Sequence, residues 1–135
     1  MQAALQLIQE RFDALAAGDF AALYASYHPQ SPFVEQFPQE KDYLEFAAAT
    51  LAQMSVLQAH IGDFREIEEG IEVVCGLRFE LDGQEQVIFE LALVAEDEGR
   101  WRYHSAQKLT AEDYRGDFAG LDFDHFDSQA MKIRF

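Results

Sequence analysis

A proton-moving site in a small domain needs a carboxylate or an imidazole set in apolar surroundings, where burial shifts its pKa towards the working pH. Three side chains sit where that could arise: Asp63 in Ile-Gly-Asp-Phe, Glu90 in Phe-Glu-Leu and His104 in Tyr-His-Ser, each within a run rich in β-branched and aromatic residues. Each also has a plainer reading. Asp63 follows Gly62 and suits a bulge; Glu90 suits a cross-strand pair with Arg78; His104 alternates with Arg102 and suits a half-exposed position. Because paired or buried ionisable groups are often structural, the plainer reading is the stronger one for all three.

A second grouping centres on Leu23 to Phe33, LYASYHPQSPF, where His28 stands between Tyr27 and Pro29. Following a helix C-terminus, where the dipole favours imidazolium, His28 has capping as its default role. Its functional reading places Tyr24, Tyr27, His28, Phe33 and Trp101 around a cavity mouth, aromatic walls with few polar groups, as small-molecule sites usually are. Ser31 has no evident base or oxyanion loop, so nucleophilic hydrolysis is not indicated. No two of His28, His60, His104 and His125 have the short spacing of a metal pair, and Asp122, Asp124 and Asp127 lack the glycine and distal glutamate of a calcium loop. No metal site and no cofactor are therefore expected. Cys75 is the sole cysteine and lies in an alternating apolar run, so a packed small hydrophobe is expected there.

These residues must be positioned by a single core, the amount that 135 residues can bury without disulfides. Twelve Phe, five Tyr and one Trp place the chain among folded proteins, so its net charge of -15 belongs on a folded surface. That charge repels phosphate backbones and anionic lipid, and no basic stripe offsets it, so nucleic acid and membrane are excluded as partners. The N-terminal MQAALQLIQERF lacks the basic start and continuous apolar stretch of a signal peptide, which leads us to expect a soluble, cytoplasmic protein.

Ala4, Leu5, Ile8, Phe12 and Leu15 follow helical spacing and predict a helix from Gln2 to Ala17 that Gly18 ends. Asp19 is placed to cap a second helix running to Tyr27, which Pro29 and Pro32 stop. Pro29 to Gln39 reads as an irregular loop folded over the body, and a third helix is expected from Glu40 or Asp42 to about Met54. Residues 56–67, 71–81, 86–96 and 100–109 then read as four antiparallel strands, joined by turns at Glu69-Gly70, Asp82-Gly83 and Glu98-Gly99. Ile71, Val73, Cys75, Leu77, Phe79 and Leu81 alternate with more polar neighbours, as do Val87, Phe89, Leu91, Leu93 and Ala95. One strongly apolar sheet face carrying the helices, and one mixed, open face, is the expectation. The first strand tolerates two registers, and a one-residue slip exchanges His60 for Asp63 in the pocket. Residues 110–135 form an acidic extension whose Tyr114, Phe118, Phe123, Phe126 and Phe135 argue that it docks on the same domain.

Helices followed by a long antiparallel meander make an α+β plan in which a curved sheet encloses a conical cavity. Over residues 1–109 this resembles the nuclear transport factor 2-like superfamily, the cystatin-like fold shared with ketosteroid isomerase, scytalone dehydratase and SnoaL-like cyclases. Two stretches carry the resemblance, ALAAGDFAALYASYHPQSPF (14–33) and EGRWRYHSAQ (98–107). The first is similar to the uncharacterised YchJ-like domain, in which an A-x-x-x-G-D junction leads into an aromatic-His-Pro step. The cysteine-rich, metal-binding ends that flank that domain in its family have no counterpart in these residues, so no role of theirs is carried over.

The resemblance implies a homodimer paired through the open sheet face. For function, the favoured reading is a non-enzymatic domain that binds a small apolar ligand or a protein through its cone or sheet. One rival is a cofactor-independent lyase or isomerase of the SnoaL or ketosteroid-isomerase type, with Asp63, Glu90, His104 or His28 moving the proton. Another is a protein-interaction module whose acidic tail meets a basic partner.

Overall fold

The computed structural model of the chain describes residues 2–129 and 133–135. Helix α1 (Gln2–Ala17) lays Ala4 and Ile8 on the sheet, as its stripe requires. Gly18, in the left-handed region with φ 71°, turns the chain. The Asp19 carboxylate then accepts from the Ala22 amide at 3.1 Å and starts α2 (Phe20–Ala25).

Helix α2 stops short of Tyr27. The Ser26 hydroxyl donates to the Leu23 carbonyl at 2.6 Å, and the next residues leave the helix to join the free edge of the last strand. There Tyr103 donates its amide to the Ser26 carbonyl at 2.9 Å, and His28 donates its own to the Tyr103 carbonyl at 2.8 Å. An open strand edge offers bonds that another helical turn would forgo, and the edge prevails over local propensity. The expected irregular loop also contains a short helix, α3 (Pro32–Gln36), with Pro32 in its first turn and the Ser31 hydroxyl accepting from the Phe33 amide. Helix α4 (Glu40–Thr50) buries Tyr43 and Ala47 against Leu23, with Tyr24, Phe33 and Phe37 filling in around them.

Strands β1 (Ser55–Ile67), β2 (Gly70–Leu81), β3 (Gln84–Asp97) and β4 (Arg100–Thr110) form one antiparallel meander in that order. Both central residues of the last two turns, Asp82-Gly83 and Glu98-Gly99, have positive φ. That backbone twist suits tight hairpins between twisted strands. Helices on a curved four-stranded sheet make the α+β cone.

The register corrects the expected division of the sheet. Cys75 pairs with Glu90 and Val73 with Ala92, so the apolar run of β2 faces the same side as Glu90, Ala92 and Val94. The apolar run of β3, with Phe89 and Leu91, faces the opposite side together with Val74. Both faces are therefore apolar and both are covered. Helix α1 covers the first with Ala4 and Ile8; Phe118 and Leu121, from a 3-10 turn and its exit, and Phe126 of α5 (Phe123–Asp127) cover the second.

Close fit and charge hold that second layer in place. A Cβ on Gly76 would run into the Phe118 ring, so only glycine admits the contact. Glu72, 1% exposed, accepts from Arg65 Nε at 2.8 Å and from Arg134 Nη2 at 3.0 Å. Arg65 also gives both terminal nitrogens to Asp127 at 2.8 Å, a bidentate link from β1 to α5. Phe135 exchanges both backbone bonds with Ala106 and occupies a second stretch of the β4 edge. Among the described residues no helix is long and apolar enough to cross a membrane.

Candidate functional site

Between α1 and the sheet the packing is incomplete. An apolar cavity of about 100 Å³ lies among Ile8, Phe12, Leu15, Leu23, Cys75, Leu77 and Ile88. It adjoins a wider one of about 300 Å³, lined by Tyr27, Pro32, Phe33, Gln36, Lys108, Arg134 and Phe135. Arg11, Glu90 and Tyr103 line both and form the collar between them.

Helical spacing puts Arg11 on the inner side of α1, one turn beyond Ile8, although its side chain is charged. It is half-buried, with its guanidinium carbon 3.8 Å from the Tyr103 ring centroid and 4.6 Å from that of Tyr27. It donates to the Ser26 hydroxyl and, at 3.3 Å, to the Tyr27 hydroxyl. Among the described residues it has no carboxylate within ion-pair distance. Burial works against the guanidinium charge, but the Tyr27 and Tyr103 phenols and Glu90 outweigh it and hold the pKa above its ordinary value. The collar thus keeps a permanent positive charge that two aromatic faces cradle without neutralising.

Opposite stands Glu90, placed on the inner face by the β2–β3 register. Its carboxylate is held loosely, 3.9 Å from the Cys75 sulfur and 3.9 Å from Lys108 Nζ. Burial first, then Glu90, push the Cys75 thiol and the Tyr103 phenol well above their usual pKa values, with Arg11 pulling the other way. Both groups are neutral at physiological pH: the thiol is not a nucleophile and the phenol remains a hydrogen-bond donor.

The residues singled out in the sequence are dispersed. Glu90 lies in the collar, and Arg78 pairs instead with Glu85 at 2.9 Å. Asp63 is exposed within the irregular stretch between Ile61 and Phe64, where its carboxylate accepts from the Phe64 amide. That irregularity also resolves the β1 register: Ile61 and Phe64 face α1, while His60 stacks on Phe118 on the outer side. Tyr27 and Phe33, stacked with centroids 3.9 Å apart, form one wall of the wider cavity. Tyr24 turns away to donate to the Phe37 carbonyl, and Trp101 lies at the hairpin end of the sheet beside Ile71 and Glu96.

His28 and His104 meet elsewhere, with ring centroids 5.6 Å apart, in a groove of about 630 Å³ on the outer side near the β4 edge. His28 accepts the Gln30 amide at Nδ1 and sets Nε2 against the Glu96 carbonyl, so the proton resides on Nε2 and both nitrogens are engaged. It ties the loop to β3. His104 is bonded to Ser105 through Nδ1, and burial, then His28 and Arg134, lower its pKa, so it is neutral. This groove is larger than the collar cavities, and its walls also carry Gln30, Glu69, Glu96 and Arg134. Among the described residues no cluster of three or more His, Cys, Asp or Glu could hold a metal ion.

Arg11 is the collar residue that sequence reasoning passes over. Its signal was its spacing, since Ala4, Ile8, Arg11 and Leu15 share one helical face, but a charged residue on an apolar stripe reads first as its border.

Compared with known proteins, residues 3–106 match the family described as YchJ, middle NTF2-like domain. No curated protein and no solved structure matches the chain.

Proposed function

The chain belongs to the YchJ middle NTF2-like domain family, and from that premise we propose that it is a ligand-binding domain that takes a small, largely apolar molecule into its cone. The supporting observation is the collar. Arg11, Glu90 and Tyr103 join an apolar recess to a wider, aromatic-walled opening, the pattern of an apolar pocket with few polar groups that fix orientation. The polar end of the ligand meets the collar, and its apolar body lies along the aromatic wall of the opening and reaches into the recess. Filling the recess by Leu77→Trp should abolish binding of small aromatic probes in an amide chemical-shift titration. Unchanged binding by a folded Leu77→Trp protein would sink the proposal.

A second reading, a cofactor-independent lyase or isomerase, has one observation in its favour: Glu90 faces the cone near a neutral phenol, a base and a donor on one cavity wall. Deuterium exchange at the α-carbon of a bound ketone, lost in Glu90→Gln, would support it; no exchange at saturating ketone would remove it. A protein partner or a second copy on the outer face has less support, because Phe118, Leu121 and Phe126 already lie there.

A further inference from the structure

The wider cavity departs from the electrostatics of the rest of the molecule. The chain carries ten Lys and Arg against twenty-five Asp and Glu, yet three of its cations, Arg11, Lys108 and Arg134, line this one opening with Glu90 as the single acidic side chain among the described residues. The cavity by the β1–β2 turn has the reverse character, with Glu66, Glu68, Glu69 and Glu96 on its walls. Arg134 is committed to Glu72, and Lys108 sits at the outer limit of an ion pair with Glu90. Arg11 spends one bond on each of two neutral hydroxyls, which leaves further guanidinium N–H donors for an acceptor entering the cavity.

From this arrangement we infer that the ligand of the cone is an aromatic monocarboxylate, its acid group on Arg11 and its ring against the Tyr27–Phe33 stack. The inference rests on the proposed binding role and specifies its ligand. A guanidinium is suited to bidentate contact with a carboxylate, and partial burial strengthens that contact relative to water. Glu90, across the collar from Arg11, disfavours a dianion such as a phosphate monoester, because the second negative charge would face it. The parallel rings of Tyr27 and Phe33, inclined by 11°, give that cavity an aromatic wall. A volume of about 300 Å³ admits a single-ring compound and stands at the small end of ligand pockets.

The matched probes are 3-phenylpropanoate and 3-phenylpropanamide, titrated separately into the whole chain at pH 7 and low salt and followed by amide chemical shifts. The acid should bind about tenfold more tightly than the amide, weaken as salt is added, and perturb the amides of Arg11, Tyr27 and Tyr103. Arg11→Gln should erase the difference between the two probes. Should that variant fail to fold, Lys108→Gln, at an exposed position, should weaken the acid about threefold and leave the amide unchanged. Equal affinity for acid and amide overturns the charge preference while leaving the binding role intact. Perturbations confined to the His28–His104 groove overturn the assigned position. If neither probe binds, the inference fails; neutral indole then decides the parent reading, since indole in the recess preserves a binding domain and its failure removes both.

Discussion

Cys75 and Gly76 are neighbours in β2, yet they face different kinds of packing. Cys75 points towards α1, into a recess whose collar leaves Arg11 without a carboxylate partner among the described residues and Glu90 loosely held. Gly76 points outward and lies directly under Phe118, with no room for even a methyl group. The outer side has its charge closely paired, Glu72 with Arg65 and Arg134, and Arg65 with Asp127. The outer face is thus close-packed around Phe118 and pairs its buried carboxylate, whereas the inner face keeps space and a cation held by aromatic rings and hydroxyls. Residues that bind ligands are expected on the side where packing leaves polar groups uncommitted.

Truncation should therefore cost much more on the outer face. Phe126 is fully buried, and Phe126→Ala should lower the unfolding free energy by about 4 kcal/mol in urea denaturation. A loss below about 1 kcal/mol would mean that the C-terminal layer is not part of the cooperative core. Arg65→Ala removes one cation from buried Glu72 and should cost about 3 kcal/mol by the same measurement.

Alkaline titration probes the helix-covered side. Burial first, then Tyr27, against the pull of Arg11, push the Tyr43 phenol from 10.0 up to about 12. The unfolded phenol loses its proton first, so above pH 10 the unfolded state binds fewer protons and stability falls with pH. This contribution is fully present below pH 10, is lost through about 12, and amounts to roughly 2 kcal/mol. Tyr43→Phe should flatten that part of the stability profile measured by circular dichroism; an unaltered slope would show that Tyr43 is not the titrating group. The smallest effect is expected at the collar. Arg11→Met keeps the packing of the stem and should change stability by only about 1 kcal/mol while it removes the charge from the cavity.

Much of the fold was legible because it is written in local pattern. The period of Ala4, Ile8, Phe12 and Leu15 marks α1, the Asp19 cap marks the start of α2, and the Asp82-Gly83 and Glu98-Gly99 pairs mark two hairpins. Tyr27 reads as helical because its own neighbourhood favours a helix; the contact that draws it out, with Tyr103, lies far along the chain. The candidate site was less legible for the same reason. Glu90 was visible as a carboxylate in a strand, but whether it meets Arg78 or the cone depends on β2–β3 pairing, which alternation alone does not specify when both faces are apolar. Trp101 shared aromatic character with Tyr27 and Phe33, and character does not encode proximity.

By itself, then, the sequence determined the order of the three longer N-terminal segments of helix and the four strands, the turns, the acidic composition and the family, each of which rests on residues close together in the chain. The tertiary structure alone decided which face Glu90 occupies, that Arg11 joins it, and that the C-terminal layer covers the other side. Those outcomes depend on strand register and on contacts across 60 or more residues, as between Arg65 and Asp127, and such contacts arise only when the whole chain packs.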